Sequence, residues 1–202
     1  MSYFPNVLRK QENGDEIVCD LPSCLLQERI ILLDGEIDSR TATTIVAQLL
    51  YLDSVDNEAP ITIYINSPGG SISDGLAIYD IMNKIKAPIN TVCIGMAASM
   101  GAFLLCSGSK GKRYCLPNST VMIHQPLGGA KGQATEILIV AERIKYLREK
   151  MYSIMAENTN KTFKEVAKAC ERDNYLTPEE ALEFGLIDEI VECKPKATRE
   201  EE

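Results

Sequence analysis

The stretch ITIYINSPGGSISDGLAIYDIMNKIKAPINTVCIGMAASMGAFLL, Ile61–Leu105, holds two successive strand–loop–helix units. Pro60 precedes a strand over Ile61–Asn66, Ser67-Pro68-Gly69-Gly70-Ser71 makes a tight loop, and a helix follows to about Lys86, with Pro88 closing the unit. In the second unit Ile89–Gly95 reads as extended, Met96–Ala98 as the turn and Met100–Leu105 as helix. Strands alternating with helices predict an α/β domain with crossover connections. Sites in such folds form where strand ends turn into helices, so these two Gly-, Ala- and Ser-rich loops are the first places to look for chemistry.

Upstream, a strand is expected at Ile30–Ile37. Asp38-Ser39 then offer N-caps to a helix over about Thr41–Leu52, whose apolar residues include Ile45, Val46, Leu49 and Leu50. Residues 1–27 read as polar and irregular, with a turn signal at Asn13-Gly14. Downstream, Lys110–Asn118 reads as loop and Thr120–His124 as a short strand broken by Gln125-Pro126-Leu127-Gly128-Gly129. A long helix is expected over about Ala134–Glu157. Its Ile137, Ala141, Ile144, Leu147, Met151 and Ile154 recur at spacings of three and four and make one apolar stripe. A shorter helix covers about Phe163–Cys170. Thr177-Pro178-Glu179-Glu180 is a capping box with Pro in the first turn, Gly185 ends the helix it starts, and Leu186–Val191 reads as the last strand. The charged tail 194–202 is expected to fray. No internal repeat or linker divides the chain, so one domain is expected.

Composition narrows the function. Of 202 residues, 45% are hydrophobic and only 6% aromatic, with no Trp, so aliphatic side chains must build the core. The net charge of −8 disfavours nucleic acid and anionic membranes as partners. The seven cysteines form no CxxC pair and the chain has a single histidine, which together point to buried thiols in a reducing compartment rather than a metal site. Met1 to Asp20 has no apolar core segment, so no secretory signal is expected. The uncharged run Ile89 to Gly108 approaches the ~20 residues of a membrane span. Its Asn90, Thr91, Ser99 and three glycines favour a buried strand running into a buried helix.

His124, the only histidine, stands at a strand end beside a Pro/Gly loop, a position from which imidazole is presented to a cleft; a hydrogen-bonded structural histidine fits equally. Ser99 lies between strand and helix among small neighbours, like the elbow serine of hydrolases, although Ala97 stands where G-x-S-x-G has Gly. A helix N-cap is the commoner use of serine there. Gly69-Gly70 expose unhindered backbone N–H groups suited to an oxyanion, or simply make a turn. Serine, histidine and an oxyanion loop suggest acyl transfer. The aspartates after His124 that could orient its ring are Asp173 and Asp188, and spacing does not choose between them.

The segments Asn66–Ser71, Gly95–Ala102, Lys110–Asn118 and Val121–Gly129 resemble the proteolytic subunit of the ATP-dependent Clp protease, and the resemblance runs from about Glu28 to Glu189. It implies a crotonase-like α/β fold. Residues 1–27 would form an axial segment, 28–193 the peptidase domain with a handle helix at about 132–157, and 194–202 a flexible tail. It implies Ser99 as nucleophile, His124 as base and Asp173 as third member, with the amides of Gly70 and Met100 as oxyanion donors. Two stacked heptameric rings would enclose a chamber, with Gln133, Glu171 and Arg172 at the ring–ring contact. A separate AAA+ ATPase would feed in unfolded protein. The chain needs no cofactor of its own and lacks a nucleotide-binding P-loop, so ATP would be used by the partner. The expected compartment is the cytoplasm. Leu50, Thr62, Tyr64, Lys84, Val92 and Tyr114 would line the ATPase docking pocket, but Thr62 and Lys84 stand where the family has aromatic residues. Glu16–Cys24 also departs from the family pattern. These departures raise the alternative of a paralogue that works mainly in mixed rings. An acyl-CoA hydratase or isomerase of the same fold would need a carboxylate acid/base where serine and histidine stand here.

Overall fold

The computed structural model describes residues 4–10, 14 and 16–192. A hairpin, β1 (Asn6–Lys10) and β2 (Glu16–Asp20), leads into α1 (Leu21–Gln27). The body follows as β3 (Ile30–Asp34), α2 (Ser39–Val55), β4 (Ile61–Ser67), α3 (Ile72–Lys84), β5 (Ile89–Ala98) and α4 (Met100–Leu105). Then come β6 (Arg113–Cys115), β7 (Thr120–Ile123), α5 (Ala134–Thr159), α6 (Phe163–Ala169), β8 (Asn174–Leu176), α7 (Pro178–Phe184) and β9 (Glu189–Ile190). The main sheet runs β3-β4-β5-β6-β9, and β7 extends β5 and carries β8. Every pair in it is parallel except β7–β8. This is the mixed α/β fold expected from the alternation of elements.

The alternation of the strands sets the core. Ile61, Ile63 and Ile65 of β4 are buried while Thr62 and Tyr64 between them are half-buried. Ile31 and Leu33 of β3 repeat that pattern beside them. All six residues of α4 are buried, with Phe103 fully enclosed and its ring 5.3 Å from that of Tyr79. The uncharged run 89–108 is therefore a central strand entering a buried helix, and among the described residues no helix is long and apolar enough to cross a membrane.

Four expectations need correction. Residues 6–10 and 16–27 are regular rather than irregular: β1 and β2 pair antiparallel from Asn6↔Asp20 to Lys10↔Glu16, and Asp20 caps α1 through Ser23 N–H at 3.0 Å. Met96–Ala98 is not a turn but the second half of β5, held by parallel pairing to Thr120–Met122 of β7. The segment read as loop at Lys110–Asn118 contains β6, whose Arg113 is buried against Asp188. Cys19 and Cys24 face each other rather than standing apart as separate buried thiols, because the turn from β2 into α1 brings their Cα atoms to 6.3 Å, a separation a disulfide can span. Cys93, Cys106, Cys115 and Cys170 are free and buried as expected. Asn13, Cys193 and the tail 194–202 lie outside the described residues.

Candidate active site

Strand β5 delivers Ser99. Its N–H donates to Met122 O at 2.8 Å, so β7 holds the strand end in place. Ser99 then adopts φ 54°, ψ −117°, a left-handed conformation that costs a non-glycine residue roughly 1–3 kcal/mol. Although it occupies the N-cap of α4, its hydroxyl caps nothing. It lies 2.8 Å from His124 Nε2. The strained backbone turns the hydroxyl out of the capping position and toward the imidazole, as in a nucleophile elbow.

His124 follows directly on β7. Its Nδ1 lies 3.2 Å from Asp173 Oδ1, so with Nδ1–H donating to the carboxylate, Nε2 is left to accept the serine proton. Asp173 precedes β8, whose antiparallel pairing sets Asn174 opposite Ile123 and so brings residue 173 alongside 124. The amide of Gln125 adds a second tie, donating to Glu171 O at 2.8 Å. The imidazole is largely enclosed, with 11% of its side chain exposed, whereas Asp173 is 61% exposed. The other aspartate, Asp188, accepts from Arg113 Nε at 2.8 Å and Nη2 at 2.5 Å and is not near the imidazole. Burial pushes its carboxyl up, but the hydrogen bonds and charge of Arg113 outweigh this and hold it below the usual carboxylate range.

The loop 67–71 packs against Ser99. Ser67 Oγ donates to Gly35 O at 2.6 Å and accepts from Gly69 N–H at 3.1 Å, which fixes the bend. A Cβ on Gly69 (φ +97°) would come within 2.7 Å of Ser99 Cβ, and one on Gly70 (φ +151°) within 2.3 Å of Ile37 O, so neither position admits a side chain. The bridge between Ile37 and Gly70 uses the N–H groups of Ile37 and Ser71. The Gly70 N–H is left over, and the Met100 N–H is an orphan of the first helical turn. Both residues line the same cavity of about 340 Å³ as Ser99 and His124. Met151, Tyr152 and Met155 of α5 form its apolar side.

Ser99, His124, Gly70 and Met100 thus converge on one cavity, and Asp173, outside its lining, reaches the site through His124 Nδ1. The other expected residues lie elsewhere. Gln133 caps α5, while Glu171 and Arg172 sit exposed between α6 and β8. Tyr64, Val92 and Tyr114 are aligned across β4, β5 and β6 as one row of the sheet. Thr62 pairs with Asn90 in the neighbouring row and accepts from its amide at 3.2 Å. Lys84 ends α3, and Leu50 is 44% exposed on α2. Sequence reasoning missed Ser67, Gln125 and the α5 methionines. Only Met151 had left a signal, as part of the apolar stripe.

This arrangement can hold a hydroxyl, a base and an oxyanion in one place, the requirements of acyl transfer to serine. A family model described as Clp protease matches residues 13–194, a span that contains every residue of the cluster. The chain therefore belongs to the Clp protease family, a family of peptidases.

Proposed function

We propose that the chain is a serine endopeptidase. His124 takes the Ser99 proton as Ser99 attacks a peptide carbonyl, and Asp173 steadies the imidazolium that forms. The Gly70 and Met100 amides hold the oxyanion. His124 then returns the proton to the leaving amine, and water activated by the same imidazole releases the acyl group. The observation that carries this reading is the 2.8 Å contact between Ser99 Oγ and His124 Nε2 at the floor of the cavity. Ser99→Ala is expected to lower peptide hydrolysis by roughly four to six orders of magnitude. A fluorophosphonate is expected to add one adduct per wild-type chain, seen by intact mass, and none to the variant. Near-normal turnover by Ser99→Ala would refute the proposal.

The substrates we propose are unfolded proteins, cut inside a cytoplasmic chamber of two stacked seven-membered rings and delivered by a separate AAA+ ATPase that consumes the ATP. Family membership supports assembly and an ATPase partner in general terms. Exposed apolar residues support burial between copies: Leu138 and Ile139 on α5 are each 66% exposed, as is much of Tyr51 and Val55 on α2. Ring–ring contact through Gln133, Glu171 and Arg172, and ATPase docking over Leu50, Thr62, Tyr64, Lys84, Val92 and Tyr114, belong to the same proposal. Every group in the proposed cycle is supplied by this chain and water.

A further inference from the structure

We infer that Glu36 makes the cleft select a basic over an acidic residue beside the scissile bond, an inference that rests on the peptidase reading and refines its substrate class. Glu36 lines the cavity that holds Ser99 and His124. Apart from the imidazole and the weakly acidic phenol of Tyr152, it is the only ionisable group among the described side chains of that lining; the rest are apolar, glycine and the reacting serine. Its position is fixed by the oxyanion loop. Ile37, the next residue, bridges Gly70, donates its N–H to Gly69 O at 2.8 Å and accepts from Ser71 N–H at 2.8 Å. Ile37 is fully buried, so the alternation of extended chain turns Glu36 the opposite way, to the exposed side and the cavity. Among the described residues no cation pairs with the Glu36 carboxylate.

The wall made by Glu36 and the 67–71 loop therefore carries a negative charge with no cation paired to it, whereas the α5 wall presents Met151 and Met155. A peptide spanning the cleft sets one side chain against each wall. Opposite charges about 6 Å apart in a half-solvated cleft attract enough to change relative binding by about three- to tenfold, and a carboxylate on the peptide is disfavoured by a similar factor. Salt weakens both effects.

The test uses the full chain and quenched peptides with leucine before the scissile bond, with Lys, Gln or Glu moved through the positions on either side. At one position kcat/KM is expected to fall in the order Lys, Gln, Glu by about three- to tenfold per step. The order flattens in E36Q and inverts in E36K. The same peptides are titrated by anisotropy against S99A and S99A/E36Q, where the charge ranking is read without turnover. An unchanged ranking in E36Q, or no position that discriminates charge, overturns the inference. Absence of Ser99-dependent cleavage overturns the peptidase reading instead, and the anisotropy ranking still decides the role of Glu36.

Discussion

At Ser99 a strained backbone and an unused capping position together free one hydroxyl for the imidazole. Asp173 and Asp188 divide two tasks that carboxylates perform, and substitution separates them. Asp173→Asn removes the charge that steadies the imidazolium and offers Nδ1 an N–H donor that favours the wrong tautomer, so kcat is expected to fall by about 10⁴ with the melting temperature little changed, since that side chain is 61% exposed. Asp188→Asn is expected to do the reverse. Arg113 is 6% exposed and would lose its charge partner, costing roughly 3 kcal/mol, measured by denaturant unfolding, while fluorophosphonate labelling of the residual folded protein persists. The pH dependence follows from the lowered Asp188 pKa. A carboxyl lowered on folding stabilises fully above its unfolded value near ~4 and loses that contribution as pH falls through its folded value. Acid unfolding of wild type is thus expected to steepen below about pH 4, and Asp188→Asn to flatten it. Ser99, His124 and the Gly-Gly loop were legible from chain order because each ends a recognisable strand. The choice between the two aspartates was not, because it depends on strand pairing across about fifty residues of sequence.

β6 and β8, at three residues each, carry too little periodicity to announce themselves, and they escaped a reading that found β4, α3 and α5 within a few residues of their ends. Small residues misled at β5: Met96-Ala97-Ala98 reads as a turn, yet pairing to β7 keeps it extended. The missed β8 matters most, because its ladder with β7 carries Asp173 to His124. Gln125 ties the same two elements from the side by its 2.8 Å bond to Glu171 O. Removing that bond leaves the ladder intact but loosens the bend that holds an exposed carboxylate. Gln125→Ala is therefore expected to lower kcat and the fluorophosphonate labelling rate by about ten- to a hundredfold, with KM nearly unchanged. Gln125→Glu, which cannot donate, is expected to behave like Ala. Equal kcat in all three proteins would show that the β7–β8 ladder alone aligns the site.

For the molecule as a whole, the sheet face that carries Tyr64, Val92 and Tyr114 in one row is where the proposed ATPase contact would form. In the neighbouring row Thr62 is engaged by Asn90, and Lys84 is an exposed cation at the end of α3, so neither adds an aromatic contact to the proposed docking surface. Asn90 Oδ1 is buried without a hydrogen-bond partner, so this part of the face is polar as well as incompletely satisfied. Each missing aromatic anchor removes roughly 1–3 kcal/mol from a docking interaction. Rings made only of this chain are accordingly expected to bind an AAA+ partner weakly in a direct titration. T62Y and K84F are each expected to tighten binding by about tenfold, while cleavage of short peptides, which need no ATPase, stays at the wild-type rate. Tight binding by the wild-type ring would mean that the row of Tyr64, Val92 and Tyr114 suffices and that the polar substitutions lie outside the contact.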